Sequence, residues 1–285
     1  MEIGRTISDL RRHIALWRKV EERIGLVPTM GALHEGHMAL VRTAHAECNR
    51  VIATIFVNPI QFAPSEDLSS YPRRETADLE MLRSAGVDLV FMPAVDEMYP
   101  PGFSTTVRVA GLSEGLCGGH RAGHFDGVAT VVAKLLIQAL PDAAYFGEKD
   151  YQQLMIVRRL VCDLDIPVRI VGVPTVRGAD GLALSSRNAY LSSKERRLAP
   201  ALARVLRKIA IALTDDPTAV AQKLACGSAA LEKAGFAVEY LEIREAETLV
   251  PVTTEITAPS RVFAAVRLGR TRLIDNMPIT PPSSQ

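Results

Sequence analysis

The chain has 285 residues, 48% hydrophobic and 23% charged, with 33 basic against 32 acidic side chains and a formal net charge of +1. This composition excludes general disorder and leaves enough length for a sizeable core or two domains. Balanced charge excludes a global attraction to nucleic acid or a membrane surface, so any anion site must be local.

No apolar signal core follows Met1, and charges interrupt the later apolar runs before membrane-spanning length. The expectation is a soluble cytoplasmic protein with no nucleic-acid or membrane partner. Cys48, Cys117, Cys162 and Cys226 are scattered without a Cys-x-x-Cys pair, which fits reduced thiols better than a disulfide framework.

In chain order, Gly25 to Pro28 reads as a short strand, Glu35 to Cys48 as a helix, and Arg50 to Val57 as a strand buried on both faces. Thr76 to Ala85 has helical periodicity closed by Gly86, and Asp88 to Met92 is a strand ending before Pro93. Phe125 to Leu140 is an apolar helix stopped by Pro141. Ala143 to Phe146, Tyr151 to Asp163 and Pro167 to Val173 then read as strand, helix and strand.

This alternation predicts a Rossmann-like α/β fold with a doubly wound parallel sheet. Past about residue 175 the pattern changes: Lys194 to Leu213 and Ala219 to Ala234 read as helices, Val238 to Arg244 and Arg261 to Leu268 as alternating strands. The expected organisation is a nucleotide-binding domain over 1–176 and a smaller α+β domain over 177–285, hinged near Val176 to Asp180. The tail, Pro281 to Gln285, is expected to be disordered.

In a doubly wound sheet, ligands bind beyond the carboxyl ends of the strands. After the first strand read here comes Met30-Gly31-Ala32-Leu33-His34-Glu35-Gly36-His37. A helix start offers unpaired N–H groups and partial positive charge, glycine allows close phosphate approach, and two histidines three apart share a helical face. Zinc is the rival, but the helical His-Glu-x-x-His motif needs one more residue between its ligands. A solvated helix start is the plainer alternative.

Asn58 and Gln61 are neutral amides suited to a small polar substrate, against an ordinary Asn-Pro turn. In Gly147-Glu148-Lys149-Asp150, lysine would neutralise phosphate and Asp150 would meet a hydroxyl or hydrated metal; a surface ion pair with helix capping is the alternative. Ser185-Ser186-Arg187 offers two hydroxyls and a permanent cation for triphosphate oxygens, or forms a solvated loop. Arg121, His124 and Asp126 mark another candidate anion-facing helix start, with capping by Asp126 as the alternative.

Taken together, Pro28 to His37, Phe56 to Phe62, Tyr71 to Arg73, His124 to Val128, Phe146 to Gln153, Ser185 to Asn188 and Thr271 to Asn276 resemble, in order, the pantothenate synthetase family. These pantoate:β-alanine ligases belong to the nucleotidylyltransferases with a His-x-Gly-His signature, here His34-Glu35-Gly36-His37. The resemblance implies ATP-dependent condensation of (R)-pantoate with β-alanine through a pantoyl adenylate, releasing AMP and diphosphate. It further implies Mg²⁺ on the ATP phosphates, with Asp150 as a candidate protein ligand, and a homodimer.

By matching positions, the resemblance places ATP at Met30, Gly31, Ala32, Leu33, His34, Glu35, Gly36, His37, Gly147, Glu148, Lys149, Asp150, Val176, Leu184, Ser185, Ser186 and Arg187. His34, His37, Lys149 and Arg187 take the catalytic roles, His37 as the acid. Gln61 and Gln153 hold pantoate, Gln61 also lies where β-alanine enters, and Asn58 and Tyr71 are neighbours. Leu184 to Arg187 matches a mobile loop related to the Lys-Met-Ser-Lys-Ser loop of class I aminoacyl-tRNA synthetases, and the smaller domain is expected to close over ATP.

The chain departs from the family pattern at Leu184, commonly Met; at Cys117, often Glu; and at Ala122, usually Pro. A simple nucleotidylyltransferase releasing a nucleotidylated small molecule is the alternative function, and a non-catalytic nucleotide-binding module a more distant one. The paired glutamines and the second domain favour the ligase.

Overall fold

The computed structural model describes residues 1–64 and 66–280; the tail expected to be disordered lies outside the described residues. The elements run β1 (Glu2–Gly4), α1 (Ile7–Arg18), β2 (Ile24–Val27), α2 (Glu35–Glu47), β3 (Arg50–Thr54), α3 (Glu75–Ser84), β4 (Leu89–Phe91), α4 (Val95–Met98), α5 (Leu116–His120) and α6 (His124–Ala139). They continue with β5 (Ala143–Gly147), α7 (Tyr151–Asp163), β6 (Arg169–Val173), α8 (Ser193–Leu198), α9 (Ala201–Asp215), α10 (Val220–Lys233), β7 (Ala237–Glu245), β8 (Ser260–Leu268) and β9 (Thr271–Ile279).

The chain packs as two compact units, Met1–Glu148 with Gln153–Pro174, and Lys149–Gln152 with Thr175–Gln285. The first is a six-stranded sheet in the order β1-β4-β3-β2-β5-β6, with every pairing parallel. Parallel strands covered on both faces need continuous apolar runs, and β2 and β4 are buried at every residue. Val27, Val41, Ala44, Val51, Ala53, Leu82, Val90 and Tyr145 form a core of strand and helix residues on one face.

Strand order reverses between β2 and β5, which pair through Gly25–Ala143 and Leu26–Ala144. The crevice at such a switch point is where a doubly wound sheet receives its ligand. The segments leaving these two strands begin at Pro28 and Glu148.

The second unit has an antiparallel sheet, β7-β8-β9, packed by α9 and α10. Leu202, Leu206, Ile209 and Leu213 recur at helical spacing along α9 and meet Val262, Ala264 and Val266 of β8 in one core. Among the described residues no helix is long and apolar enough to cross a membrane.

The Rossmann-like α/β arrangement and the smaller α+β unit agree with the sequence reading, but one expected helix is split and further elements stand where none was read. The helix expected over 194–213 is two helices, α8 and α9, because Pro200 lacks an N–H and its ring disfavours a continuing turn before it. β1 and α1 precede the first element read from the sequence; Thr6 and Asp9 form a reciprocal capping box that starts α1. Strand β9 contains Pro278, a residue that argues against a central strand but is tolerated at a sheet edge, where it sits exposed.

Candidate active site

In the first unit, the segment after β2 is held from two sides. Thr29 Oγ1 donates to Thr54 O at 2.6 Å and accepts from Gly31 N at 3.1 Å, while Thr54 Oγ1 accepts from Thr29 N at 3.1 Å. The carboxylate of Asp78, on α3, accepts from Ala32 N and Leu33 N, both at 2.8 Å. These bonds stabilise positive φ at Gly31 (78°) and at Ala32 (50°), where a side chain normally disfavours it. Asp78 is 2% exposed and was missed in the sequence, because one acid on an amphipathic helix carries no signal of what it faces.

Helix α2 begins at Glu35, with His34 as its extended N-cap. His34 Nδ1 accepts from Gly36 N at 3.1 Å, and His37 Nδ1 accepts from His34 N at 3.3 Å. Two imidazoles thus make the reciprocal cap usually made by Ser or Thr with Glu or Gln. With each Nδ1 accepting, the proton of each neutral ring lies on Nε2, a tautomer set by the backbone contacts. The rings lie 4.1 Å apart, so both Nε2–H donors belong to one patch at a helix N-terminus. Glu35 pairs its side chain with Arg42 on the surface.

After β3, the turn Pro59–Gln61 presents Gln61. Gln61 Nε2 donates to Met30 Sδ at 3.2 Å, joining a residue expected at ATP to one expected at pantoate. Asn58 is 1% exposed; its Nδ2 donates to Gln61 Oε1 at 2.9 Å and to Gly127 O at 3.1 Å, and its Oδ1 accepts from Tyr99 OH at 2.7 Å. Asn58 therefore orients Gln61 from beneath. Burial pushes the Tyr99 phenol well above its usual range, which keeps it a donor.

Arg121 and His124 also serve this turn. Arg121 pairs with Glu66 through Nε–Oε1 at 2.6 Å and Nη2–Oε2 at 2.8 Å, and its Nη1 lies 2.7 Å from His124 Nε2. A guanidinium only donates, so His124 Nε2 accepts and Nδ1–H donates to Gln61 O at 2.8 Å. Burial raises the Glu66 carboxyl, but the Arg121 hydrogen bonds and charge outweigh it and hold the group below the ordinary glutamate range. The positive charge considered for an anion at this helix start is thus matched by Glu66. Tyr71, 6% exposed, lies edge-on to Phe62 with ring centres 5.8 Å apart. Gln153 is the third residue of α7 and half-buried.

Gly147 ends β5 and Glu148 follows it in the first unit, while the second unit contains Lys149, Asp150, Val176 and Leu184 to Arg187. Lys149 Nζ lies 3.4 Å from Asp150 Oδ1, a loose pair in which the Asp150 side chain is 47% exposed. Val176 and Leu184 meet directly, Leu184 N donating to Val176 O at 3.0 Å, and Arg177 bridges Ala183. The stretch read as a hinge is a short hairpin. Its outgoing arm leads to Ser185, which caps the turn Ser186–Tyr190 by accepting from Arg187 N at 3.3 Å.

Residues 2–278 match the model of the pantoate–β-alanine ligase family. Over 280 residues, 98% of this chain and 99% of the relative, the sequence is 54% identical to a pantothenate synthetase of Dinoroseobacter shibae. The fold matches the pantothenate synthetase of Thermus thermophilus with a TM-score of 0.93 at 48% identity, covering 99% of this chain and 100% of that one. It also matches a Francisella tularensis pantoate-β-alanine ligase complexed with β-γ ATP and β-alanine, with a TM-score of 0.79 at 34% identity and 97% of each chain covered. The chain belongs to the pantoate–β-alanine ligase family.

Proposed function

We propose that the protein condenses (R)-pantoate with β-alanine at the expense of ATP, giving (R)-pantothenate, AMP and diphosphate. In the first step a pantoate carboxylate oxygen bonds to the α-phosphorus and the bond to diphosphate breaks. In the second the β-alanine nitrogen bonds to the acyl carbon, the acyl–oxygen bond breaks, AMP leaves with that oxygen, and the amine proton passes to solvent. Neither step needs a protein nucleophile, so catalysis reduces to positioning and charge stabilisation.

The observation that carries the reading is the double imidazole cap of α2, which sets the donor protons of His34 and His37 on Nε2. Donors fixed before substrate arrives cost no reorganisation as charge develops on phosphate oxygens. His37 is assigned the acid role, with Lys149 and Arg187 neutralising charge on the transferred and departing groups. The remaining ATP contacts are assigned to Met30 to Gly36, Gly147, Glu148, Asp150, Val176 and Leu184 to Ser186. Gln61 and Gln153 hold pantoate, Asn58 and Tyr71 shaping the Gln61 end.

Mg²⁺ fits as a companion of ATP. Among the described residues no group of three His, Cys, Asp or Glu side chains forms a metal cage, while Asp150 offers one accessible carboxylate. A small hard cation that keeps phosphate and water ligands needs little more, and it would neutralise phosphate charge. The same reading assigns a cytoplasmic homodimer acting on small molecules, without nucleic-acid or membrane partners.

The test is incubation of purified protein with ATP, pantoate and β-alanine. AMP should form in step with pantothenate and require both organic substrates. Diphosphate release with a stable nucleotidylated product, unaffected by β-alanine, would identify a simple nucleotidylyltransferase instead.

A further inference from the structure

The segment Thr271 to Asn276 carries none of the chemistry assigned above, yet two of its residues hold both phosphate-handling segments of the second unit. Asn276, 2% exposed on β9, donates from Nδ2 to Lys149 O at 3.0 Å. Arg261, on β8, donates from Nε to Asn276 Oδ1 at 2.7 Å. Because arginine has no acceptor, this bond decides which end of the amide faces which partner, and turns Nδ2 toward Lys149. The Arg261 guanidinium also lies 4.0 Å over the ring of Tyr151, two residues beyond Lys149.

The neighbouring Asp275, 3% exposed, receives Arg177 through Nη1–Oδ2 at 2.6 Å and Nη2–Oδ1 at 2.9 Å, and its Oδ1 accepts from Asn276 N at 2.8 Å. Arg177 Nη1 donates to Gly181 O at 3.2 Å, clamping the hairpin that delivers Ser185, Ser186 and Arg187. Consecutive residues of one strand thus fix the backbone under Lys149 and the base of the loop bearing Arg187. Flexible cations are poor catalysts unless the backbone beneath them is fixed, since an error of ~1 Å costs about 100-fold.

We propose that Asp275 and Asn276 are a positioning pair for adenylate formation, acting through Lys149 and the Ser185–Arg187 loop. The proposal rests on the ligase reading. It goes beyond that reading by assigning the C-terminal sheet to the first half-reaction and not the second.

The experiment compares wild type with Asn276→Asp, which keeps an acceptor for Arg261 but sets an oxygen against Lys149 O. Diphosphate release from ATP and pantoate in a single turnover should slow by about 10- to 100-fold, the scale for displacing a catalytic group by a fraction of an ångström to one. The KM for pantoate, and the reaction of supplied pantoyl adenylate with β-alanine, should stay within about twofold. In a Lys149→Ala background the same change should cost little more, because residues acting through one group are non-additive. Equal slowing of both half-reactions, or a full multiplicative loss in that background, would overturn the proposal. Should Asn276→Asp fail to fold, Arg261→Met, which removes the donor that orients the Asn276 amide, is read by the same criteria. A wild-type protein releasing no diphosphate from ATP and pantoate would overturn the ligase reading itself.

Discussion

Gly127→Ala tests the positioning of Gln61 through a residue to which no substrate contact is assigned. Gly127 lies in α6 against the Pro59–Gln61 turn, and a Cβ there would sit 2.4 Å from Ile60 O, 2.6 Å from Gln61 Cα and 2.7 Å from Gln61 N. Ordinary carbon contacts are ~3.5 Å or more, so the turn must retreat by about 1 Å. Alanine gains ~1 kcal/mol of helix propensity over glycine, while overpacking costs roughly 1–3 kcal/mol. All three overlapped atoms are backbone and cannot swing aside, so the net loss of stability is about 2 kcal/mol or more.

A loss of function is expected as well, since ~1 Å at a substrate-holding group costs about 100-fold. Steady-state kinetics should show kcat/KM for pantoate falling by that order with the KM for ATP nearly unchanged. A folded Gly127→Ala protein with wild-type kcat/KM for pantoate would refute the assignment of Gln61 and the packing argument together.

Four further outcomes are expected. Asp78→Asn removes one of the two acceptors for Ala32 N and Leu33 N, and should lower stability by about 1–3 kcal/mol and raise the KM for ATP; unchanged ATP binding would show the loop holds its shape without Asp78. Lys149→Ala should slow adenylate formation by about 10²- to 10³-fold, the scale for one charged transition-state contact, and a normal single-turnover rate would remove Lys149 from the mechanism. Glu66 has a lowered folded-state pKa, so its contribution is complete above the unfolded-state pKa and disappears as pH falls through the folded one. Denaturant titrations should therefore show Glu66→Gln destabilised at neutral pH and level with wild type in strong acid; a gap independent of pH would contradict the pairing. Finally, the β-alanine amine must be neutral to attack, and primary amines titrate near ~10. The rate of the second half-reaction should rise above neutral pH, and a flat profile between about pH 6 and about pH 9 would count against amine attack as its limiting step.

The parallel sheet was legible because β2, β3 and β5 are short apolar runs separated by helix-period segments and punctuated by glycine and proline. The break at Pro200 was also written in the sequence, but the apolar stripe on either side masked it. Strand β9 was hidden by Pro278, since the sequence does not announce which strand will be an edge. The residues proposed to contact ligand were legible by residue type: histidines at a helix start, glutamines and lysine after strands. Residues that hold those groups were not. Asp78, Tyr99, Glu66 and Asn276 act across sequence separations of 41 to 127 residues, and only the fold brings them to their partners. His34 illustrates the middle case, where the motif pointed to phosphate but the cap that fixes both tautomers required coordinates.

In the proposed reaction pantoate is activated as its adenylate before β-alanine attacks. Pantoate labelled with heavy oxygen in its carboxylate tests this most directly, with AMP and pantothenate analysed by mass spectrometry after one turnover. The mechanism predicts one labelled oxygen in AMP and one retained in the amide carbonyl of pantothenate. AMP carrying no label, with pantothenate still formed, would contradict it.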